Sequence, residues 1–313
     1  MDRLPQGEVR QYLNSYIANL ERPSNAIRGY SIQDVQFVNP YSPSTSSWSW
    51  KPQDSDDSYA ATFLSVVARY MDCSKDTAWL KQASSFNPNE TNLQVLKHIA
   101  YNNLVLTTND STTGLAHTFQ SLEKYPVYFT QDNTEVYKGL IDFVRILKQV
   151  GDSDANYYQS FADGVAAGIK NHLFLNNVQA VNLATGAIIN VSGFSSAWNG
   201  ATNPIPNSFY PGAVTQLFPV ALGVPVGSDK NSAGLQTLNA MAPGWCNRLY
   251  DTQGKDPFMI LGYGAALLGD RASAQCQLNF FAQKAQYGGA TITVSGLSFY
   301  QRTLNLLNGL PAF

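Results

Sequence analysis

Three carboxylates fall within four residues at Asp54-Ser55-Asp56-Asp57, immediately ahead of apolar residues at helical spacing: Tyr59, Phe63, Val66, Val67 and Tyr70. A second acidic start, Asp132-Asn133-Thr134-Glu135, precedes Val136, Leu140, Phe143, Val144 and Leu147. An Asp or Ser before a helix caps its first amides, and the helix dipole favours an anion there, so one acid at either place has a structural explanation. Three acids in four residues exceed what a cap requires. Laid on one another without a gap, the segments align Asp56 with Asp132, Ala60 with Val136, Phe63 with Gly139 and Leu64 with Leu140. Two helices that start alike would bring Asp56 and Asp132 to one cleft, with Asp57 in reserve if the cap shifts by one residue. Paired carboxyls carry acid–base chemistry: one protonates a leaving oxygen while the other attacks or activates water. Proximity and burial raise one pKa, so that acid and base coexist near neutral pH.

The loop ahead of Asp54 reads Ser47-Trp48-Ser49-Trp50-Lys51-Pro52. Trp48 and Trp50, separated by one polar residue and next to the acids, suit a platform against which the apolar face of a sugar ring stacks; the alternative is a loop that packs its rings into the core. Tyr41, Trp198, Phe209 and Tyr210 invite the same question. Asp54, Asn133 and Glu135 are placed to bond ligand hydroxyls, or to cap their helices. His98 and His172 fall on helical stretches and read as structural, which leaves His117, in the loop 106–131, as the histidine candidate. No metal or other cofactor is expected: the acid cluster lacks the glycine and distal Glu of a calcium loop. Phosphate-loop, serine-elbow, zinc-helix and paired-cysteine motifs are absent.

The elements that must position these residues are mainly helical. The first is marked by Tyr12, Tyr16, Ile17 and Leu20, the next runs over 57–70, a short piece over 77–84, and a longer one through Leu93, Leu96, Ile99, Ala100 and Leu104. Helices follow over 133–150 and through Tyr158, Phe161, Val165 and Ile169, then at 212–222, 234–249, 257–268, 271–286 and 297–308. Short connections such as Gly151-Asp152-Ser153 and Gly269-Asp270 suit antiparallel pairs, whereas long polar ones lie at 21–56, 106–131, 173–210 and 223–233. Val178–Val181 and Ala187–Val191, around Ala184-Thr185-Gly186, read as a small β-hairpin.

The order of these segments resembles the six-hairpin glycosidase superfamily. The resemblance is carried by Asp-Asp-Ser-Tyr-Ala-Ala-Thr-Phe-Leu at 56–64, Asp-Asn-Thr-Glu-Val-Tyr-Lys-Gly-Leu at 132–140, the Gly151-Asp152 turn, and Gly262-Tyr263-Gly264-Ala265-Ala266 before Gly269-Asp270. It implies an all-α fold, one (α/α)6 toroid over 1–313, in which 57–70 and 133–150 are inner helices and 76–105 is outer. Ten or eleven helices are legible against twelve, so the toroid either has a further helix within 21–50 or is incomplete. Tyr210-Pro211-Gly212 and Asp256-Pro257 would precede the third and fourth inner helices, with Pro suited to a first turn. Tyr210 and Asp256 thereby join the binding candidates. The implied activity is hydrolysis of a poly- or oligosaccharide, with inversion as the default and the catalytic carboxyls roughly 6.5–9.5 Å apart to admit water.

Three other functions compete. A polysaccharide lyase would need Tyr or His as base and cations to neutralise a uronate, which 20 Lys and Arg among 313 residues supply sparsely. A non-catalytic carbohydrate-binding toroid would keep the aromatic cleft without usable acids. Asp54-Ser55-Asp56-Asp57 also matches the Asp-x-Asp-Asp motif of class II terpene cyclases, but their Gln/Trp repeats are not evident.

Net charge is −2 with 13% charged residues and no basic block, which argues against nucleic-acid or anionic-membrane partners. No apolar run approaches the roughly 18 residues of a membrane span. The start, Met1-Asp2-Arg3-Leu4-Pro5, lacks a signal peptide's regions, so the chain is expected to be either cytosolic or a mature form with an added Met. The neutral, amide- and hydroxyl-rich composition favours a secreted or periplasmic setting. Cys73, Cys246 and Cys276 lack metal-ligand spacing; Cys246 and Cys276 are either a disulfide or buried thiols.

Overall fold

Helical spacing of apolar residues dominates the chain, and in the computed structural model the described residues are mostly helical with a few short strands. The structure describes residues 6–24, 27–37, 48–106, 110, 112–120, 127–200, 203–250, 256–287 and 292–311. In chain order the elements are α1 (Gln6–Ala18), β1 (Asp34–Phe37), β2 (Trp48–Lys51), α2 (Asp56–Ser74), α3 (Thr77–Leu80), α4 (Asn92–Ala100), β3 (Tyr128–Phe129), α5 (Thr130–Val150) and α6 (Ala155–Gly168). Then come β4 (Phe174–Val181), β5 (Ile188–Phe194), β6 (Ala197–Trp198), α7 (Phe218–Ala221), α8 (Ser228–Met241), α9 (Ile260–Leu267), α10 (Arg271–Tyr287) and α11 (Val294–Leu307). Contacts group them into two compact units, one of Met1–Tyr128 with Glu135–Val165 and one of Phe129–Thr134 with Ala166–Phe313. Among the described residues no helix is long and apolar enough to cross a membrane.

In the first unit, α2 begins where Ser55 Oγ accepts the Ser58 amide at 3.0 Å, and it buries Ala60, Ala61, Phe63, Leu64, Val67, Ala68 and Met71. The short helix expected over 77–84 stops at Leu80, because the chain turns there to bridge Ala83 with Thr91. Thr91 and Gln94 form a capping box that starts α4, which continues into a π turn at Tyr101–Val105.

Helices α2 and α5 run parallel. Ser58 Oγ donates to Glu135 Oε2 at their starts, and Gly139 meets Ala61 further along. At the far ends Arg145 Nη1 reaches Asp72 Oδ2 at 3.0 Å and Gln149 Nε2 donates to Asp72 Oδ1 at 3.0 Å. Partners that ascend together along both helices require parallel axes, so α3 and α4 carry the chain back between them.

Two helix ends share one turn chemistry. Gly151 and Gly269 adopt φ of 68° and 84°, and the following amides, Asp152 N–H and Asp270 N–H, donate to Leu147 O and Ala265 O, each at 2.9 Å. A glycine in the left-handed region with this six-residue bond is a Schellman stop, which frees the chain to reverse into the next helix.

In the second unit the expected hairpin is present and longer: β4 and β5 pair antiparallel with Val178 opposite Val191 and Val181 opposite Ile188, and with a bulge between Leu175 and Val178. The expected helix 212–222 is instead a π turn at Phe209–Ala213, a 3₁₀ stretch at Val214–Leu217 and the single turn α7. Tertiary bonding competes with a regular ladder here: buried Gln216 donates to Phe194 O at 2.6 Å and to Gly212 O at 3.0 Å, while its Oε1 accepts from Phe194 N at 2.7 Å. Helix α8 starts six residues before the expected 234 and ends at Met241, ahead of Pro243-Gly244. Cys246 and Cys276 are joined as a disulfide, and Cys73 is a free, exposed thiol.

Candidate carboxylate site

The acid-rich start of α2 is held by a loop distant in sequence. Thr118 O accepts the amides of Asp56 at 2.9 Å and Asp57 at 3.3 Å, and the Gln120 amide donates to Asp56 Oδ2 at 2.9 Å. Gln53 Nε2 donates to Asp56 Oδ1 at 2.7 Å. Gln120 is itself tied down, its Nε2 donating to Gly29 O at 3.0 Å and Asn103 Oδ1 at 2.7 Å, its Oε1 accepting from Arg28 N at 2.8 Å. Asp56 is therefore a buried anchor that locks segment 118–120 over the helix start. Periodicity carries no signal for that role.

Asp57 is 0% exposed; its Oδ1 accepts from Ser55 Oγ and the Ser58 amide, both at 2.7 Å. Asp54 lies ahead of the cap and is exposed, whereas Glu135 is half-buried and held by Ser58 Oγ. The first turn of α2 thus delivers one carboxylate to a loop, one to its own cap, and a hydroxyl to the carboxylate of its parallel neighbour.

Helix α5 begins at Thr130, not at 133, because the Thr130 amide donates to Ser196 O at 2.8 Å and its hydroxyl to Ser195 O. Asp132 is consequently the third residue of its helix whereas Asp56 is the first of α2. The two helix starts are therefore offset by two residues relative to the acids they carry. Asp132 is half-buried. Asn133 is fully buried and donates to Phe129 O at 2.8 Å, inside its own first turn.

Strand β2 carries Trp48 and Trp50, paired opposite Phe37 and Val35 of β1. Asp34, at the start of β1, accepts from Tyr59 Oη at 2.7 Å, which fastens this ribbon to α2. Burial, then the bond to Asp34, pushes the Tyr59 phenol above its usual range. The Trp48 and Trp50 side chains lie outside the described residues, as does Tyr41.

His117 stands beside Thr118 and packs its ring on Tyr128 at 4.1 Å; its Nδ1 is buried with no hydrogen-bond partner among the described residues. Burial holds it below the usual imidazole value, against the pull of Asp110. Tyr128 Oη donates to Asp110 Oδ2 at 3.0 Å, and the Thr112 amide donates to Oδ1 at 2.9 Å. These bonds, led by that of the Thr112 hydroxyl, lower the Asp110 carboxyl to about 2.

In the second unit Tyr210 is 55% exposed and stacks on Phe258, and half-buried Asp256 accepts the Phe258 amide at 2.7 Å. Among the described residues no group of three or more His, Cys, Asp or Glu side chains is gathered as a metal ion would require.

No protein-family model matches this chain, and no curated protein matches it. Solved structures do. A rhamnosidase from Klebsiella oxytoca with rhamnose bound is similar to 91% of this chain at a TM-score of 0.54 and 13% identity. The chain spans 46% of that protein's length. At this identity the likeness is one of fold.

Proposed function

We propose that this chain is a glycoside hydrolase of the six-hairpin kind, cleaving neutral oligosaccharides, rhamnosides included, by carboxylate acid–base catalysis. The observation that carries the reading is the parallel pair α2 and α5, in which Ser58 in the first turn of α2 donates to Glu135, the sixth residue of α5. The fold likeness to a rhamnosidase supports it at a coarser level. Burial divides the roles. Half-buried Glu135 and Asp132 are each candidates to meet substrate, whereas fully buried Asp57 serves the cap of α2. Asp56 keeps the loop in place. Inversion requires roughly 6.5–9.5 Å between acid and base, with water admitted between them. The Cys246–Cys276 disulfide supports an exported setting, where such bonds persist.

The test is a panel of neutral and uronate-containing glycans scored for new reducing ends and for ultraviolet absorbance of an unsaturated product. Reducing ends without that absorbance support hydrolysis; the absorbance indicates a lyase. Glu135→Gln and Asp132→Asn preserve size and remove the proton-transfer group, so each essential member loses roughly 10²–10⁴-fold in rate. A second reading, a carbohydrate-binding toroid without catalysis, is favoured by the cap bonds that occupy Asp57 Oδ1. Saccharide binding with no cleavage in any variant would select it.

A further inference from the structure

Two loops of the second unit, 46 positions apart as 256–258 lies from 210–212, each end in an aromatic or acidic residue next to Pro, and they meet. Tyr210 packs on Phe258 with ring centroids 5.4 Å apart and planes 14° from parallel, yet remains 55% exposed. Its backing ring is fixed with unusual thoroughness. Phe258 sits at φ 48°, a left-handed conformation that a bulky residue resists. Three bonds hold it there: its amide donates to Asp256 Oδ1 at 2.7 Å, and buried Gln277 Nε2 donates to Pro257 O at 2.7 Å and Phe258 O at 3.3 Å. Phe209 meets the Phe258 ring edge-on at 5.9 Å and stacks on Tyr250 at 5.2 Å, which carries Arg248 on its face at 4.6 Å. A strained backbone pinned on both sides, supporting an exposed flat ring, is the arrangement that strain at ligand sites produces.

We propose that Tyr210, backed by Phe258, is a stacking platform for a neutral sugar ring. A tyrosine face takes the apolar C–H side of a pyranose at small entropic cost, since only two torsions need fixing and the backing ring already fixes them. The Asp256 carboxylate, bonded to the Phe258 amide, gives the supporting loop a negative charge. It repels uronates and phosphates. The choice of a sugar as occupant rests on the glycosidase reading, but the platform binds without turnover.

Isothermal titration of the whole chain with neutral oligosaccharides, and with uronate oligosaccharides as contrast, tests it in the unaltered protein, Tyr210→Ala, Tyr210→Phe and Glu135→Gln. Neutral saccharide binding should weaken about tenfold or more in Tyr210→Ala, as a central aromatic anchor does, and survive in Tyr210→Phe. If Tyr210→Ala binds as the unaltered protein does while Glu135→Gln abolishes hydrolysis, the platform is wrong and the glycosidase reading stands. If no chain hydrolyses any glycan yet Tyr210→Ala alone loses binding, the platform stands and that reading fails. Binding of no saccharide, or of uronates as tightly as neutral sugars, overturns the proposal.

Discussion

Gly139 on α5 lies so close to Ala61 on α2 that a Cβ added to it would stand 2.5 Å from Ala61 Cα. The obstacle is backbone, which no rotamer change relieves, so glycine at 139 sets how near the two helices run and thereby where Ser58 meets Glu135.

Gly139→Ala gains helix propensity of about 1 kcal/mol, and that gain is outweighed by the forced separation of two packed helices. The expected result is a net loss of about 1–3 kcal/mol in stability, read by denaturant or thermal unfolding. An unchanged or raised midpoint would show that the helices part without cost.

Asp56→Asn keeps the volume but turns one acceptor into a donor facing the Gln53 amide or the Gln120 N–H. Mismatching a buried polar group costs roughly 1–3 kcal/mol. Proteolysis or hydrogen exchange should localise the loosening to 118–120 and the start of α2. Loss of activity with no loss of stability would instead make Asp56 catalytic.

Cys246→Ser with Cys276→Ser removes a bond across a sequence separation of 30 residues. Loop-closure entropy assigns such a bond roughly 3–4 kcal/mol. Unfolding with and without reductant should therefore separate the unaltered protein from the double variant only when no reductant is present. Equal stability in both conditions would count against the disulfide.

Asp110 gives a pH signature. Its carboxyl lies at about 2 in the folded chain, below its value of about 4 when unfolded. The stability it contributes is fully present above about 4 and is lost as the pH falls through about 2. Asp110→Asn should flatten the acid limb of the melting temperature over that window. A limb of unchanged slope would remove Asp110 from the account.

The sequence alone determined the mostly helical fold, the β4–β5 hairpin, the Gly151 and Gly269 stops and the acidic start of α2, because each follows from residues within about a turn of one another. The ungapped offset of 76 between the two acid segments also came within two residues of the lateral register between α2 and α5, where Ser58 meets Glu135 and Ala61 meets Gly139. Tertiary structure decided what those residues do. Asp56 became an anchor only because Gln120, 64 positions away, donates to it. Asp57 and Glu135 were separated by burial, Cys246 found Cys276, and Gln216 diverted the expected helix 212–222 into π and 3₁₀ turns. A carboxylate near a helix start caps, anchors or meets substrate according to which distant donors reach it and whether water does, and neither is a property of local spacing.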